Sequence, residues 1–465
     1  MAIRKVLEGL KDQMVLIKKG KIMNYLEQYK QKLKTPAEAV KVIKSGDWID
    51  YSVGLGFPAL LDEALAERKD ELTDVKIRGF LILQPMKAIE ADPDREHFMY
   101  NSWYMAGYER KLCDRGLANF MPMVFRNLNS YYRKFLEVNV AMMSVSPMDE
   151  HGYFSFSLSN PCARSVMDKA DYIILEVNEH LPKVHGMDEC IHISEIDAVV
   201  EGEHGPLANL PAPPPTEIDE KIGDLILNEM VDGSCVQLGI GGLANCVGQK
   251  IAQSDLKDIG IHTELLADAY LDMQNAGKIT NRAKTIDNGK SVYGIALGSQ
   301  GLYDWCADNP SMSTRPIEYC NAPEVISQID NFVSINNCVN VDLKGQINAE
   351  SSGTRQISGT GGQLDFLTGA YMSKGGKAFI CMTSSFTDKE GNHKSRFVPT
   401  YNGDAITDPR SQAYYLVTEY GIANLAGRTD WERCEAMINI AHPDHRDGLI
   451  AEAEKLGIWR KSNKR

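Results

Sequence analysis

Two distant stretches of this chain lie over one another without a gap, and that repeat limits the folds open to it. SGDWIDYSVGLGFPALLDEAL at 45–65 matches DGSCVQLGIGGLANCVGQKI at 232–251, with Gly46 on Gly233, Ile49 on Val236, Val53 on Ile240 and Gly54 on Gly241. Further on, VSPMDEHGYFSF at 145–156 lies over CVNVDLKGQINA at 338–349, setting Asp149 on Asp342 and Gly152 on Gly345. A duplication of this kind implies an α/β chain: two tandem, related open α/β domains, each mixing strands with crossover helices. Ligands of duplicated folds often sit in the cleft between the halves. In this ungapped frame Glu264 falls against Ile77 of VKIRGF, so only the second half carries a carboxylate there.

The boundary between the halves is PLANLPAPPPTEIDE at 206–220, where Pro211, Pro213, Pro214 and Pro215 cannot sit inside a helix or a central strand. Thr216 then reads as the cap of an amphipathic helix running through Ile218, Ile222, Leu225 and Ile226. The expected organisation is a leader or extra helix at 1–22, an N-terminal domain at 23–210, a linker at 211–215 and a C-terminal domain at 216–465. A chain of 465 residues is too long for one core in any case.

Charge excludes several partners. Fifty Lys and Arg stand against 63 Asp and Glu, a net charge of −13, which argues against broad nucleic-acid or anionic-membrane binding. A small anionic ligand is still allowed, because phosphates are held locally by N–H groups and a few cations. No apolar run reaches the roughly 18 to 20 residues of a spanning helix, and the basic start is too interrupted by charge for a signal peptide. Ten cysteines occur without a CxxC pair, so neither a disulfide framework nor a zinc site is expected, and the chain reads as cytoplasmic with reduced thiols.

The chemistry concentrates in the second half. GIGGLANCVG at 239–248 reads as a strand-to-helix turn with free N–H groups at the helix start. A β-branched run then enters His262-Thr263-Glu264 and ends on a carboxylate. A carboxylate beside an anion-stabilising turn is the minimal apparatus for nucleophilic attack on an acyl group. Most strand-end glutamates only make surface ion pairs, and His262, on the same face, is more often a packed core residue. The turn also fits G-x-G-x-x-G/A from Gly239 to Ala244, with Glu264 twenty residues further on. That is the fingerprint of a dinucleotide-binding fold, and an NAD-dependent or sugar-phosphate-binding protein stays open on this motif alone. A second glycine-rich element, SSGTRQISGTGGQLDFLTGAYMSKGGKAF at 351–379, offers backbone at Gly359, Gly361 and Gly362 for close approach to a ligand. Asn321 precedes a proline-started helix and reads on its own as an N-cap.

Together these residues resemble the acetyl-CoA hydrolase/transferase family of coenzyme A-transferases. The resemblance runs from about Tyr25 to Trp459 through NSWYMAGYERK, SPMDEHGYFSF, QLGIGGLANCVG, GIHTELLADAYLDM, SGTRQISGTGGQLDF, MSKGGKAF, LVTEYGIANLAGR and IAHPDHRDGLI. It is nearest to butyryl-CoA:acetate CoA-transferases, then to 4-hydroxybutyrate CoA-transferases. It implies that Glu264 is a nucleophile carrying CoA as a glutamyl thioester, with Asn321 and the Gly362 N–H stabilising the oxyanion. It implies CoA contacts at Gly239, Ile240, Gly241, Gly242, Leu243 and Gly362, with Val339 nearby. CoA enters as a substrate beside a small carboxylate, no cofactor is tightly bound, no metal is needed, and a homo-oligomer is expected. Two departures stand out: Ala267-Asp268-Ala269 where many relatives read SDG, and Tyr104 where butyryl-type enzymes are expected to have histidine. Hydrolysis of acyl-CoA by the same glutamate is the nearest alternative. An ordinary glutamate, with a pKa of about 4.3, is ionised at neutral pH and needs no base. Water must then be kept from the acyl-enzyme, and closing of the two halves is the expected means.

Overall fold

A computed structural model describes residues 24–210 and 213–459. The expected leader at 1–22 therefore lies outside the described residues, as do Pro211 and Ala212 of the linker.

Two eight-stranded sheets carry the architecture. The first is built from β1 (Leu33–Lys34), β2 (Trp48–Val53), β3 (Val75–Phe80), β4 (Phe98–Ser102), β5 (Ala118–Phe120), β6 (Val140–Val145), β7 (Tyr172–Val177) and β8 (Ala198–Glu201). Its spatial order is β1-β8-β7-β6-β2-β3-β4-β5, parallel throughout. The second contains β9 (Cys235–Leu238), β10 (Gly260–Leu266), β11 (Ser291–Ala296), β12 (Met312–Thr314), β13 (Phe332–Asn337), β14 (Lys377–Cys381), β15 (Tyr415–Thr418) and β16 (Gly421–Asn424). Its order is β12-β11-β10-β9-β13-β14-β15-β16, and only the β15–β16 hairpin is antiparallel. Seven consecutive strands thus recur in one order, β2 to β8 and β9 to β15. Both sheets reverse direction of growth after their first strand, between β2 and β6 and between β9 and β13. The strands read as they do because both faces are covered: β6 (VAMMSV) and β11 (SVYGIA) are buried at every position.

The repeat holds down to single hydrogen bonds. Asp149 Oδ1 accepts from the N–H groups of His151 and Tyr153, and Asp342 Oδ1 accepts from those of Lys344 and Gln346. Gly152 and Gly345 close the two turns at φ of 84° and 82°, a conformation only glycine adopts freely. The ungapped frame fails at one place. Ile49 pairs with Ile77 in the first sheet and Val236 with Ile261 in the second. The connection from β9 to β10 is three residues shorter than its counterpart, since Trp48 pairs with Lys76 (28 on) and Cys235 with Gly260 (25 on). The residue that answers Glu264 is therefore Phe80, not Ile77.

The linker's described part, Pro213–Pro215, is extended, and Thr216 caps helix α2 (Glu217–Leu227; α1 is Ala59–Ala66) by accepting from the Asp219 N–H at 3.2 Å. The halves do not merely abut. One apolar core runs from Val53 and Phe156 in the first into Val236, Ile261 and Ile295 in the second. Backbone bonds stitch the two together: Ala296 N–H to Leu158 O at 3.0 Å, Ile317 N–H to Pro161 O at 2.8 Å and Phe125 N–H to Gly361 O at 3.2 Å. These bonds already join the two halves in the described structure.

Candidate active site

Glu264 stands near the C-terminal end of β10, beside the point where the second sheet reverses. In parallel sheets that reversal leaves a crevice at the strand ends. Here it opens into a cavity of about 280 Å³ lined by both halves. From the second half come Gln237, Gly239, Ile240, Glu264, Asn336 and the loop from Ile357 to Gln363; from the first come Phe80, Trp103, Tyr104, Met123 and Phe125.

Two donors hold the carboxylate. Asn321 Nδ2 donates to Glu264 Oε2 at 2.6 Å, and the Gly362 N–H donates to the same side chain. Asn321 is not an N-cap. It ends helix α4 (Ile317–Cys320; α3 is Gly242–Gln253), while Ala322 precedes the proline-started helix, and its fully buried side chain turns inward. Gly362 precedes helix α5 (Gln363–Met372), and a methyl group built on it would overlap both Glu264 Oε2 and Asn321 Nδ2. The glycine is required by close approach, not by its φ of −99°. His262 supports the same arrangement from below. It is fully buried, pushed down to about 3 by burial and hence neutral, and its Nε2 donates at 2.7 Å to the carbonyl of Cys320, the residue before Asn321.

Burial also acts on the nucleophile candidate. It pushes Glu264 up to about 7, opposed by the Asn321 bond and assisted by the charge of Asp365. In place of the ordinary glutamate with a pKa of about 4.3 that was expected, the structure holds a buried carboxyl raised to about 7. Asp365 is a residue the sequence did not single out. It sits fully buried in the first turn of α5, pairs with Arg126 of the first half through Oδ1, accepts the Arg126 N–H at 3.1 Å, and lies 3.4 Å from Asn321 Nδ2. Its only sequence signal was its place three residues after Gly362. A further buried acid, Asp408, is raised to about 7 by burial and accepts from Gln363 Nε2 at 2.6 Å.

The glycine turn meets the cavity only in part. Gly239 and Ile240 line it, and Ile240 is exposed at the rim. Gly241, at φ 108°, turns the chain into α3, which Gly242 begins, while Leu243 points into the core and Val339 lies beyond the lining residues Asn336 and Asn337. The first half supplies the apolar wall. Trp103 and Tyr104 line the cavity, but Tyr108 bonds Glu90 and the Met86 N–H instead. Arg110 is the one cation among the described lining residues. All ten cysteines are free, and no helix among the described residues is long and apolar enough to cross a membrane.

Comparison with known proteins gives the family to which this arrangement belongs. The acetyl-CoA hydrolase/transferase N-terminal domain matches residues 17–211 and the C-terminal domain of the same name matches residues 298–453. This chain belongs to the acetyl-CoA hydrolase/transferase family. The butyryl-CoA:acetate CoA-transferase of Anaerostipes caccae is 50% identical over 95% of this chain and 100% of the relative. A probable butyrate:acetyl-CoA coenzyme A-transferase of Syntrophomonas wolfei is 49% identical over 94% and 98%. Among solved structures, RipA of Yersinia pestis superposes with a TM-score of 0.87 at 36% identity, covering 94% of this chain and all of that one. The chain is accordingly an enzyme of the CoA-transferase kind, and the dinucleotide reading of its glycine turn falls away.

Proposed function

We propose that the protein transfers CoA from a short-chain acyl-CoA, butyryl-CoA first, to a small carboxylate such as acetate, through a thioester on Glu264. The observation that carries the proposal is the hold of Asn321 Nδ2 and the Gly362 N–H on the Glu264 carboxylate inside a cavity with apolar walls.

The steps balance without metal or redox partner. A Glu264 oxygen attacks the thioester carbon, the C–S bond breaks and CoA leaves as thiolate, giving a mixed anhydride. The thiolate then attacks the glutamyl carbonyl and breaks its bond to the acyl oxygen. The acyl group departs as a carboxylate, and glutamyl-CoA remains. Acetate reverses both steps. When the thiolate adds, negative charge develops on the glutamyl oxygen already facing Asn321 and Gly362, and each such donor contributes roughly 3–4 kcal/mol. Carboxylates are weak nucleophiles, so holding the reactants in place must supply much of the rest, on the order of 7–11 kcal/mol at best. Gly239 and Ile240 place the start of α3 at the cavity mouth, where the pantetheine arm of CoA would enter; Phe80, Trp103 and Phe125 face the acyl chain.

Intact-protein mass after mixing with butyryl-CoA and no acceptor tests the reading. A covalent CoA adduct that discharges to acetyl-CoA on adding acetate is the expected result. Steady release of free CoA with no such adduct would replace transfer with hydrolysis.

A further inference from the structure

Outside the cavity, a hairpin and a helix start bring three histidines together. His393 lies on the hairpin of strands Ser385–Thr387 and His393–Ser395, while His442, Asp444 and His445 lie at the start of helix α6 (Pro443–Lys455). Ligand atoms of His393, His442 and Asp444 all lie within 4.8 Å of one another. Ring centres are 4.6 Å apart for His393 and His442, 4.8 Å for His393 and His445, and 5.9 Å for His442 and His445. Imidazoles bound to one ion at 2.0–2.1 Å place their ring centres roughly 4.5–5.5 Å apart, so the His393–His442 spacing suits a shared ion while the His442–His445 pair is wider than that.

The individual nitrogens point the same way. His445 Nε2 is buried with no hydrogen-bond partner, a condition few native polar atoms tolerate. His393 uses Nε2 against Ser385 Oγ at 2.9 Å, leaving Nδ1 open. His442 Nδ1 accepts only a long 3.3 Å bond from the Asp444 N–H, which ligation would replace.

We propose that His393, His442 and Asp444 bind one divalent transition-metal ion of the Zn²⁺ type and clasp the hairpin to α6, with His445 packed beside them. Imidazoles with one carboxylate suit Zn²⁺, Co²⁺ or Ni²⁺ and are a poor set for Ca²⁺ or Mg²⁺, which take oxygen ligands. The clasp is structural. It touches none of the groups at Glu264, and its nearest link toward the cavity is Arg396, just past the hairpin, whose Nη1 donates to the Val339 carbonyl at 2.8 Å. The sequence reading expected no metal because it looked for cysteine pairs; the ligands here are a lone histidine and the H-P-D of residues 442–444.

The test is a Zn²⁺ titration of the chelator-stripped full chain by calorimetry, with melting followed alongside. One tight equivalent per chain and a raised melting temperature are expected, and Co²⁺ should give the visible bands of four-coordinate geometry. In the His393→Ala/His442→Ala variant that equivalent should weaken by roughly tenfold or more, while metal-free melting and transferase activity stay as in the parent. Should the double variant not fold, Asp444→Asn carries the same expectation. Binding no tighter than about 100 µM in the parent, undiminished binding in the variants, or loss only in His185→Ala, which sits beside Asp308 elsewhere, overturns the site.

Discussion

The two sheets reverse at equivalent places, yet only one reversal is open. In the first half the strand-end crevice is filled by the protein's own carboxylate. Glu176, at the end of β7, accepts the Leu60 and Leu61 N–H groups at the start of α1 at 2.9 and 3.0 Å, and His204 closes on its other oxygen at 3.1 Å. Ser159 Oγ takes the Gly56 N–H at 3.0 Å. Strand register carries Glu176 onto Cys381 in the second half, where Asp219 Oδ2 lies close to Gly242 but, among the described residues, no carboxylate accepts a hydrogen bond from the N–H groups at the start of α3. Glu264 likewise answers to Phe80. One copy keeps its crevice filled from within and lends an apolar wall; the other opens into the cavity that holds Glu264, the proposed nucleophile. The lesson is that a free helix start at a strand reversal becomes a site only when the chain declines to satisfy it.

Substitutions at the two reversals should separate along this line. Glu264→Ala should show the largest effect, a fall in transfer of at least about 10³-fold with no CoA adduct by mass while CoA still binds. A variant with full activity would remove Glu264 as nucleophile and leave the two halves functionally alike. Gly362→Ala comes next. Its methyl group must displace Glu264 or Asn321, so kcat should drop by about 10²-fold with little change in CoA affinity, read by steady-state kinetics beside calorimetry.

Glu176→Ala should do the reverse. It leaves two N–H groups unpaired and His204 with Glu179 alone, so urea unfolding should report a loss of about 2–4 kcal/mol while kcat changes little. The bond to Glu176 raises His204 above its ordinary value. The contribution of that pair is therefore complete below about pH 6.5 and declines as pH rises through the raised value; in Glu176→Ala the decline should shrink to the part that Glu179 sustains. The smallest effect expected is the pH profile of kcat/KM for the acyl-CoA. Because burial holds Glu264 near 7 and the ionised form attacks, the rate should climb through about pH 7 and level off above it. A profile flat from pH 5 upward would mean the glutamate is not desolvated.

Much of this was legible because the duplication leaves its mark in turns. Asp149 with Gly152 and Asp342 with Gly345 survive as letters, since each turn needs one carboxylate and one positive φ at fixed spacing. Glu264 was legible as a carboxylate ending a β-branched run after a glycine turn. The frame slipped at Ile77 because helix-to-strand connections tolerate a change in length, and three missing residues leave no local sign. Asn321 misled through Pro323, which marks a helix start whether or not the preceding asparagine caps it. Leu243 packs its side chain into the core, so only its backbone is left to meet a ligand, and spacing does not tell the two apart. Arg126 and Asp365 were hidden altogether: 239 residues separate them, and nothing but the folded chain brings them together.

That separation also has a consequence during synthesis. The cage around Glu264 needs Asp365, which needs Arg126, and the Gly361 carbonyl needs the Phe125 N–H. A ribosome that has released only the first half has made a wall with no reagent, and an isolated second half would hold a reagent with no wall. Neither fragment alone holds the cavity, whose walls come together only once both halves have joined.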